Sequence, residues 1–218
     1  MSGFPEEWIE TSLMDVVEII DGDRGKNYPN GKDFSSIGYC LFLNTKNVPH
    51  SIFSFSEKMF ITKEKDNLLR KGKLKRGDFV LTTRGTVGNY AFFSDNISYE
   101  NIRINSGMLI VRSKKEVLPN YLYQTFISKS LKHQMHIFSY GAAQPQLPVG
   151  TLNNIKILIP KVQIQQEFSR IIETNIKTTN ILRCQNQHLK EARDILLPCL
   201  MTGMIDVESL ELPETVAN

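Results

Sequence analysis

The most constraining feature of the sequence is a heptad repeat that starts at Ile164 and ends at Leu196. Alternate steps of four and three residues along this segment reach mainly apolar side chains, interrupted by three polar ones. This pattern is typical of a coiled coil. The repeat, called the seam below, consists of Ile164, Phe168, Ile171, Asn175, Thr178, Leu182, Gln185, Leu189, Ala192 and Leu196.

A helix that carries the seam would be roughly 50 Å long at 1.5 Å per residue, and its apolar stripe needs a cover. Two covers are open: the helix folds back on its own domain, or it packs against another chain. Polar residues within such a repeat commonly set the register of oligomers, which favours the second cover. Because Pro198 should stop the helix, we predict a spacer and dimerisation helix over residues 161–197 and a tail over 198–218.

Residues 1–160 have a different pattern, in which short apolar and β-branched runs alternate with turn residues. The segments DFVLTTRGTVGNYAFF, INSGMLIVRS and NNIKILIP predict strands, whereas VLPNYLYQTFISKSLKHQM predicts a helix that begins at Pro119 and Asn120. A chain of 218 residues with 41% hydrophobic residues can bury one domain-sized core. We therefore predict an α+β protein, with a mixed α/β domain followed by a long C-terminal coiled-coil helix.

Sequence motifs of several enzyme classes are absent. The patterns GxxxxGK[ST], GxSxG and GxGxxG do not occur, which argues against a nucleotide-driven motor, a serine hydrolase and a dinucleotide-dependent enzyme. His133 and His136 lie three residues apart on a predicted helix and could share a metal, but no Glu or Cys stands near them, which favours surface positions. We predict a binding protein without catalytic residues and without a bound metal.

The cysteines and the N-terminal segment bear on the compartment. Cys40, Cys184 and Cys199 form no CxxC pair, so neither a disulfide framework nor a zinc site is indicated. The N-terminal segment lacks a basic stretch followed by an apolar run, and no segment has the length of a membrane span. We expect a soluble, cytoplasmic protein that does not bind membranes.

Basic residues are concentrated in two places, although the net charge is only +3. The segment KEKDNLLRKGKLKR, residues 63–76, contains seven basic residues and two acidic ones, Glu64 and Asp66. Such a run is also compatible with a solvated face. The turn TTRGTVGN, residues 82–89, presents Arg84 among threonines and glycines. Because glycines allow the backbone to approach closely, this turn suits the edge of a polyanion.

A third polar stretch, DGDRGKNYPNGKD at residues 21–33, has more than one interpretation. Its arginine and lysines could bind phosphate oxygens, and its three glycines permit close approach. Its three aspartates could instead hold a hard cation, although an EF-hand pattern is not complete. By itself the stretch is also compatible with an ordinary solvated turn.

Several segments, taken in order, resemble the specificity subunits of Type I restriction-modification systems. They are EIIDGDRGKNYP, LFLNTKNV, VLTTRGTVGN, GAAQPQLPVGTLNNIKILIP and LLPCLMTGMIDV, and together they span nearly the whole chain. The resemblance implies a target recognition domain that reads one half of a split DNA sequence, followed by a helix that spaces it from a second recognition domain. In the family, this subunit is not catalytic: S-adenosylmethionine, ATP and Mg²⁺ are expected on the modification and restriction subunits, which are its partners.

The resemblance also implies which residues meet double-stranded DNA. We expect the contacts to come from the stretch at 21–33, from LFLNTKNV, from the two basic segments and from the YGAAQPQLP loop, in which the glutamines also fit a structural loop. The candidate DNA-binding residues are Arg24, Lys26, Asn27, Tyr28, Lys46, Lys73, Thr83, Arg84, Thr86, Tyr140, Gln144 and Gln146.

Members of this family usually carry two recognition domains and two helices, whereas this chain carries one of each. We therefore expect a half-size specificity subunit that completes itself as a homodimer, because a symmetric pair of chains would cover the seam and supply the second reader. The alternative is an oligomeric coiled-coil scaffold or inhibitor without sequence-specific DNA binding.

Overall fold

The computed structural model of the protein describes residues 5, 7–49, 52–85, 87–137 and 149–205. Within these ranges the chain forms strands, helices and three short 3₁₀ turns, at 31–33, 45–47 and 149–154. In chain order the strands and α-helices are β1 (Ile9–Ser12), α1 (Leu13–Val16), β2 (Val17–Asp21), β3 (Cys40–Leu43), β4 (Phe60–Ile61), α2 (Lys63–Leu68), β5 (Phe79–Thr82), β6 (Tyr90–Phe92), β7 (Ile102–Ile104), β8 (Met108–Ser113), α3 (Pro119–Ile127), α4 (Lys129–Ile137), β9 (Lys156–Ile159) and α5 (Val162–Met201).

The described strands form three sheets. One has four antiparallel strands in the order β2-β8-β5-β6, and a second has three strands in the order β4-β3-β7, of which β3 and β7 are parallel. The third pairs β1 with β9, so that the two ends of the domain meet. This mixture of sheets and helices confirms the predicted α+β class, including the long C-terminal helix.

The main core lies between the four-stranded and the three-stranded sheets. Val80 of β5 and Ile110 of β8 share one buried cluster with Leu41 of β3 and Ile104 of β7. Alternate residues of β5 point the other way, and Phe79 packs edge-to-face on Phe126 of α3 at a ring distance of 4.3 Å. Because β5 is covered on both faces, all four residues of its sequence FVLT are buried, and the first three are apolar rather than alternating.

The helix predicted from Pro119 onward is in fact two helices. It ends at Ile127, and α4 begins at Lys129, because Ser128 takes an extended conformation with ψ of 150°. The Ser128 hydroxyl accepts a hydrogen bond from the backbone N–H of Leu131 and so caps the new helix. Gln134 of α4 then binds both the N–H and the C=O of Lys156, which fixes α4 to β9.

Helix α5 is continuous from Val162 to Met201 and therefore differs from the prediction at its end. Pro198 does not stop it; the helix continues to Met201, and a turn with Gly203 at a φ of 70° follows. A proline removes one backbone N–H donor, and so close to the end of a helix the loss of one hydrogen bond is tolerated. The chain divides into two compact units, the first ending at Glu173, so that the first turns of α5 belong to the same unit as the sheets.

In the described residues, no helix combines the length and the apolar character that a bilayer crossing requires.

Candidate nucleic-acid interface

The strands bring four loops to one edge of the two sheets. Asp21, the last residue of β2, lies opposite Leu109 of β8, and Thr82, the last residue of β5, lies opposite Met108. The parallel strands β3 and β7 also end together, and β7 leads through residues 105–107 directly into β8. The loops that follow β2, β3, β5 and β7 are therefore neighbours, although they come from distant parts of the sequence.

The short loop 105–107 is the centre of this arrangement. Gly22 packs so tightly on it that a Cβ at this position would lie 2.2 Å from the carbonyl oxygen of Asn105, which explains the need for glycine. The guanidinium of Arg24 donates to the carbonyl oxygen of Ser106 at 3.2 Å. From the other side, the backbone N–H and the hydroxyl of Thr83 both donate to the carbonyl oxygen of Gly107.

The loop after β3 completes the group. The side chain of Thr45 lies within 4 Å of the positions where Cβ atoms would stand on Gly85 and Gly107, and so touches two of the other loops. Lys46 follows directly; its side chain is 74% exposed, with Glu57 as an ion-pair partner at 3.4 Å. Asn47 is buried and donates to the carbonyl oxygens of Ser54 and Glu57, which holds this loop in place.

The polar stretch at 21–33 is ordered largely by its own aspartates. Asp23 is buried and accepts hydrogen bonds from the backbone N–H groups of Gly25 and Arg70, both at 2.8 Å. The bond from Gly25 is the main reason why the pKa of Asp23 lies below its ordinary value, against the opposing effect of burial. Asp21 pairs with Arg24 at 3.1 Å, and Asp33 pairs with Lys65 at 3.1 Å. These carboxylates serve the loop itself, which weakens the cation interpretation.

The turn after β5 presents Arg84. Gly85 and Gly88 have φ values of 72° and 85°, a region that residues with side chains rarely adopt, and the Gly88 N–H closes the turn onto the carbonyl of Thr82. Arg84 is exposed, and no ion pair joins it to another described side chain. The predicted strand–turn–strand arrangement around RGTVGN is present.

We use the name basic edge for the exposed cations that these loops bring together. Arg70 belongs to it because its guanidinium lies 3.3 Å from the position of a Cβ on Gly25. Sequence reasoning missed Arg70 as a site residue, since nothing in the sequence indicates that it lies beside a loop more than 40 positions earlier. The basic edge consists of Arg24, Lys26, Lys46, Arg70 and Arg84.

Other candidate DNA-binding residues already have partners within the protein. Asn27 donates to the carbonyl oxygen of Leu68, and Tyr28 packs edge-to-face on Phe42 at a ring distance of 5.7 Å. Thr83 is buried, and Lys73 pairs with the buried Asp66. Their contact with DNA stays a prediction, but each already has a structural partner. Thr86, Tyr140, Gln144 and Gln146 lie outside the described residues.

Asp66 is the centre of a buried ion cluster behind the basic segment. It is 1% exposed and accepts hydrogen bonds of 2.5 Å from Arg103 Nε and from Lys73 Nζ. Burial alone would raise the pKa of Asp66, but the hydrogen bonds and charges of Lys73 and Arg103 hold it below its ordinary value. The Arg103 guanidinium also donates to the carbonyl oxygens of Lys71, Asp66 and Leu69, and thereby shapes the chain that leads to Arg70.

Asp66→Asn should lower the free energy of unfolding by about 3 kcal/mol, because it leaves the buried guanidinium of Arg103 without a counter-charge. Asp95→Asn, at an exposed position, is the control and should change it by less than about 0.5 kcal/mol. Urea unfolding followed by circular dichroism measures both.

The depressed pKa of Asp66 also makes the stability depend on pH. The stability that ionised Asp66 contributes is present above the ordinary pKa of the group and is lost as the pH falls through its pKa in the folded state. The wild type should therefore lose its advantage over the variant in acid, and equal stability at neutral pH would contradict the role assigned to this ion pair.

The seam of α5 is largely exposed within the chain. Leu182 is 53% and Leu189 67% exposed, and Ile171 and Leu196 are exposed as well. Near the start of the helix, Phe168 instead packs on Tyr121 at a ring distance of 5.8 Å. The polar seam positions Asn175, Thr178 and Gln185 are also exposed, as is Ala192. An apolar stripe of this length needs a partner, although coiled-coil pairing itself stays a prediction.

Across the described residues, no three His, Cys, Asp or Glu side chains are close enough to hold a metal ion together. The free thiol of Cys40 is buried, and this burial raises its pKa to about 12, so that it stays protonated at neutral pH.

Comparison with protein families gives a match over residues 5–191 to the Type I restriction modification DNA specificity domain. Among curated proteins, the chain is 25% identical over 215 residues to the Type I restriction enzyme MjaVIII specificity subunit of Methanocaldococcus jannaschii, a match that covers 94% of this chain and 48% of that one. It is 27% identical over 209 residues to the HindI specificity subunit of Haemophilus influenzae, covering 92% and 42%. The chain spans about half the length of the curated relatives it matches.

Solved structures show the same fold. The Type I restriction-modification S subunit from M. genitalium matches with a TM-score of 0.60 at 14% identity, over 88% of this chain and 45% of that one. The HsdS subunit from Thermoanaerobacter tengcongensis matches with a TM-score of 0.54 at 16% identity, over 91% and 45%.

Proposed function

Because the chain belongs to the family of Type I restriction modification DNA specificity domains, we propose that it reads one half of a bipartite DNA target and positions modification and restriction subunits on it. In this proposal the chain does no chemistry itself. Methyl transfer from S-adenosylmethionine and ATP-driven cleavage belong to the partner subunits. The observation that carries the proposal is the basic edge, where the loops after β2, β3 and β5 and the segment after α2 present cations beside the same pair of sheets.

The basic edge has the two kinds of side chain that a DNA reader needs. The long side chain of Lys46 is largely exposed, which suits a phosphate contact that carries no sequence information. Arg24 is held by Asp21 and Ser106, so its guanidinium starts from a defined position, whereas Arg84 is exposed on the turn that Gly85 and Gly88 shape. A guanidinium presented in this way can bind the O6 and N7 atoms of guanine with two hydrogen bonds.

Arg84→Ala should reduce the affinity for the specific sequence by about 1 to 3 kcal/mol and leave the binding of other sequences nearly unchanged. Lys46→Ala should instead weaken all sequences alike and reduce the slope of log affinity against log salt by about 1. Lys115→Ala is the matched control, because Lys115 is exposed beyond the opposite end of β8. Fluorescence anisotropy with duplexes selected from a random-sequence pool, over a range of salt concentrations, measures all three.

The three outcomes separate the candidate functions. If Arg84→Ala and Lys46→Ala lose DNA affinity equally and for all sequences, Arg84 contacts the DNA backbone and does not read bases. If the wild type selects no sequence from the pool, sequence-specific DNA reading is excluded and the coiled-coil scaffold is the remaining candidate. The exposed seam would also fit a scaffold. We favour the reader because a scaffold gives no reason for cations from separate parts of the chain to converge at one edge.

We further propose that two copies of the chain pair through the seam in antiparallel orientation. This pairing would cover the exposed apolar stripe and supply a second recognition domain. Modification subunits would then bind a symmetric platform. The phosphate contact of Lys73 stays a prediction, and its ammonium group also has a structural role, since it pairs with Asp66 and lies 5.7 Å from the centre of the Tyr39 ring.

A further inference from the structure

A buried glutamine stands in the first turn of α5. Gln165 is 1% exposed, although Val162 and Ile164 beside it are exposed. Its Oε1 accepts from the backbone N–H of Leu118 at 2.9 Å, and its Nε2 donates to the carbonyl oxygens of Pro160 at 2.9 Å and Glu116 at 3.2 Å. Both amide protons and one of the two acceptor positions are therefore used.

Two of the three partners of Gln165, Glu116 and Leu118, are backbone groups just before α3. Leu118 is the residue that precedes α3, its own side chain makes no capping hydrogen bond, and Pro119 after it has no N–H to donate. The N–H of Leu118 is partly shielded from water, and Gln165 supplies from α5 an acceptor for it that the sequence of α3 does not provide.

The next turn of α5 is held to the same two elements. The ring of Phe168 packs edge-to-face on Tyr121 of α3, and the Tyr121 hydroxyl donates to the carbonyl oxygen of Leu158 in β9 at 2.7 Å. Two successive turns of the helix are thus joined to α3 and β9 by contacts that depend on direction. An apolar side chain at position 165 would fill the same space but would fix no angle, whereas a fully bonded amide specifies one arrangement.

We propose that Gln165 is a positioning residue that sets the spacer length accepted between the two DNA half-sites. The inference rests on the proposed function, in which α5 spaces two recognition domains. Over a helix roughly 50 Å long, a change of about 10° at the base moves the far end by about 9 Å, which exceeds two base pairs of duplex. A fixed base is therefore required for a reader that distinguishes spacers of neighbouring length.

The test is Gln165→Met, which keeps the volume and removes the three hydrogen bonds. Gln187→Met is the matched control, since Gln187 is an exposed glutamine of the same helix whose side chain donates to Glu191. Duplexes carry the two selected half-sites at spacers from three base pairs shorter to three longer than the preferred one, and a further duplex carries a single half-site. Hydrogen exchange at the Leu118 amide, measured in the absence of DNA, reports on the anchor itself.

In the wild type and in Gln187→Met, we expect affinity to fall about tenfold or more when the spacer departs from its preferred length. In Gln165→Met, Leu118 should exchange faster and neighbouring spacers should bind within about threefold of each other, while the single half-site binds as before. If Leu118 exchanges faster but the spacer preference stays sharp, the positioning role is overturned and the proposed DNA reading stands. If the wild type selects no bipartite sequence, the proposed function fails with it.

Should Gln165→Met fail to fold, Tyr121→Phe decides the question. It removes the hydrogen bond to Leu158 and keeps the ring against Phe168, so it loosens the same joint with little loss of buried area. If Tyr121→Phe accepts a wider range of spacers and still binds the single half-site, the contacts of α5 with α3 and β9 determine the spacer length. An unchanged preference overturns it.

Discussion

Leu182→Asp combined with Leu189→Asp should convert the protein from dimers into single chains at micromolar concentration. Both residues lie one heptad apart in the seam, and both are more than half exposed in the chain. In a symmetric pair the two substitutions place four carboxylates in the interface. Each buried, unpaired charge costs several kcal/mol, so the dimer dissociation constant should rise by at least about four orders of magnitude.

Light scattering or sedimentation at several concentrations measures this change. Gln187→Asp with Lys190→Asp is the control, because these residues face away from the seam on the same stretch of helix. The control should remain dimeric. A wild type that is monomeric at micromolar concentration, with no partner added, would contradict self-pairing, and the seam would then have to be covered by a modification subunit or a different specificity chain.

The same variant links assembly to DNA recognition. A single chain retains its basic edge, so it should still bind one half-site with the salt dependence of the wild type. The additional affinity of the bipartite duplex should disappear, since it depends on two readers being joined. A variant that is monomeric yet still prefers the bipartite duplex would show that DNA, rather than the seam, brings the two chains together.

The sequence predicts best those elements that are determined by residues close together in the chain. The hairpin around Arg84 follows from apolar runs on both sides of a turn with two glycines, and its two strands are present. The long helix follows from its repeat. The break at Ser128 is local too, since a serine that can cap a new helix stands between two helical stretches, but the apolar spacing hid it.

The arrangement of the basic edge was beyond sequence reasoning because its contacts are distant in the chain. The parallel pairing of β3 with β7 aligns Leu43 with Ile104 across about sixty residues, and no repeat or motif encodes it. The same limitation applies to Lys73. In the sequence it cannot be distinguished from the other lysines of its basic run, yet in the structure it pairs with Asp66. Arg70, four residues after Asp66, lies beside Gly25 instead.

Deleting residues 175–181 should shorten the preferred DNA spacer by about three base pairs without changing the half-sites. Seven residues are one heptad, so the seam stays in phase while the helix loses about 10 Å. Because a two-fold axis that relates two identical chains also relates their DNA half-sites, the wild-type target should be a bipartite palindrome. Readers held on the order of one DNA turn apart, about 34 Å, leave several base pairs between the half-sites unread.

Sequencing of methylated DNA from cells that contain this chain and its modification subunits measures the half-sites and the spacer together. Deletion of residues 175–176 is the control: two residues rotate the second part of the seam by about 200°, to the opposite side of the helix, so assembly and methylation should be lost rather than shifted. An asymmetric motif in cells with no other specificity chain would contradict the symmetric pair. A palindrome whose spacer is the same before and after the heptad deletion would instead show that α5 does not set the distance, because a spacer set by the helix must change with its length.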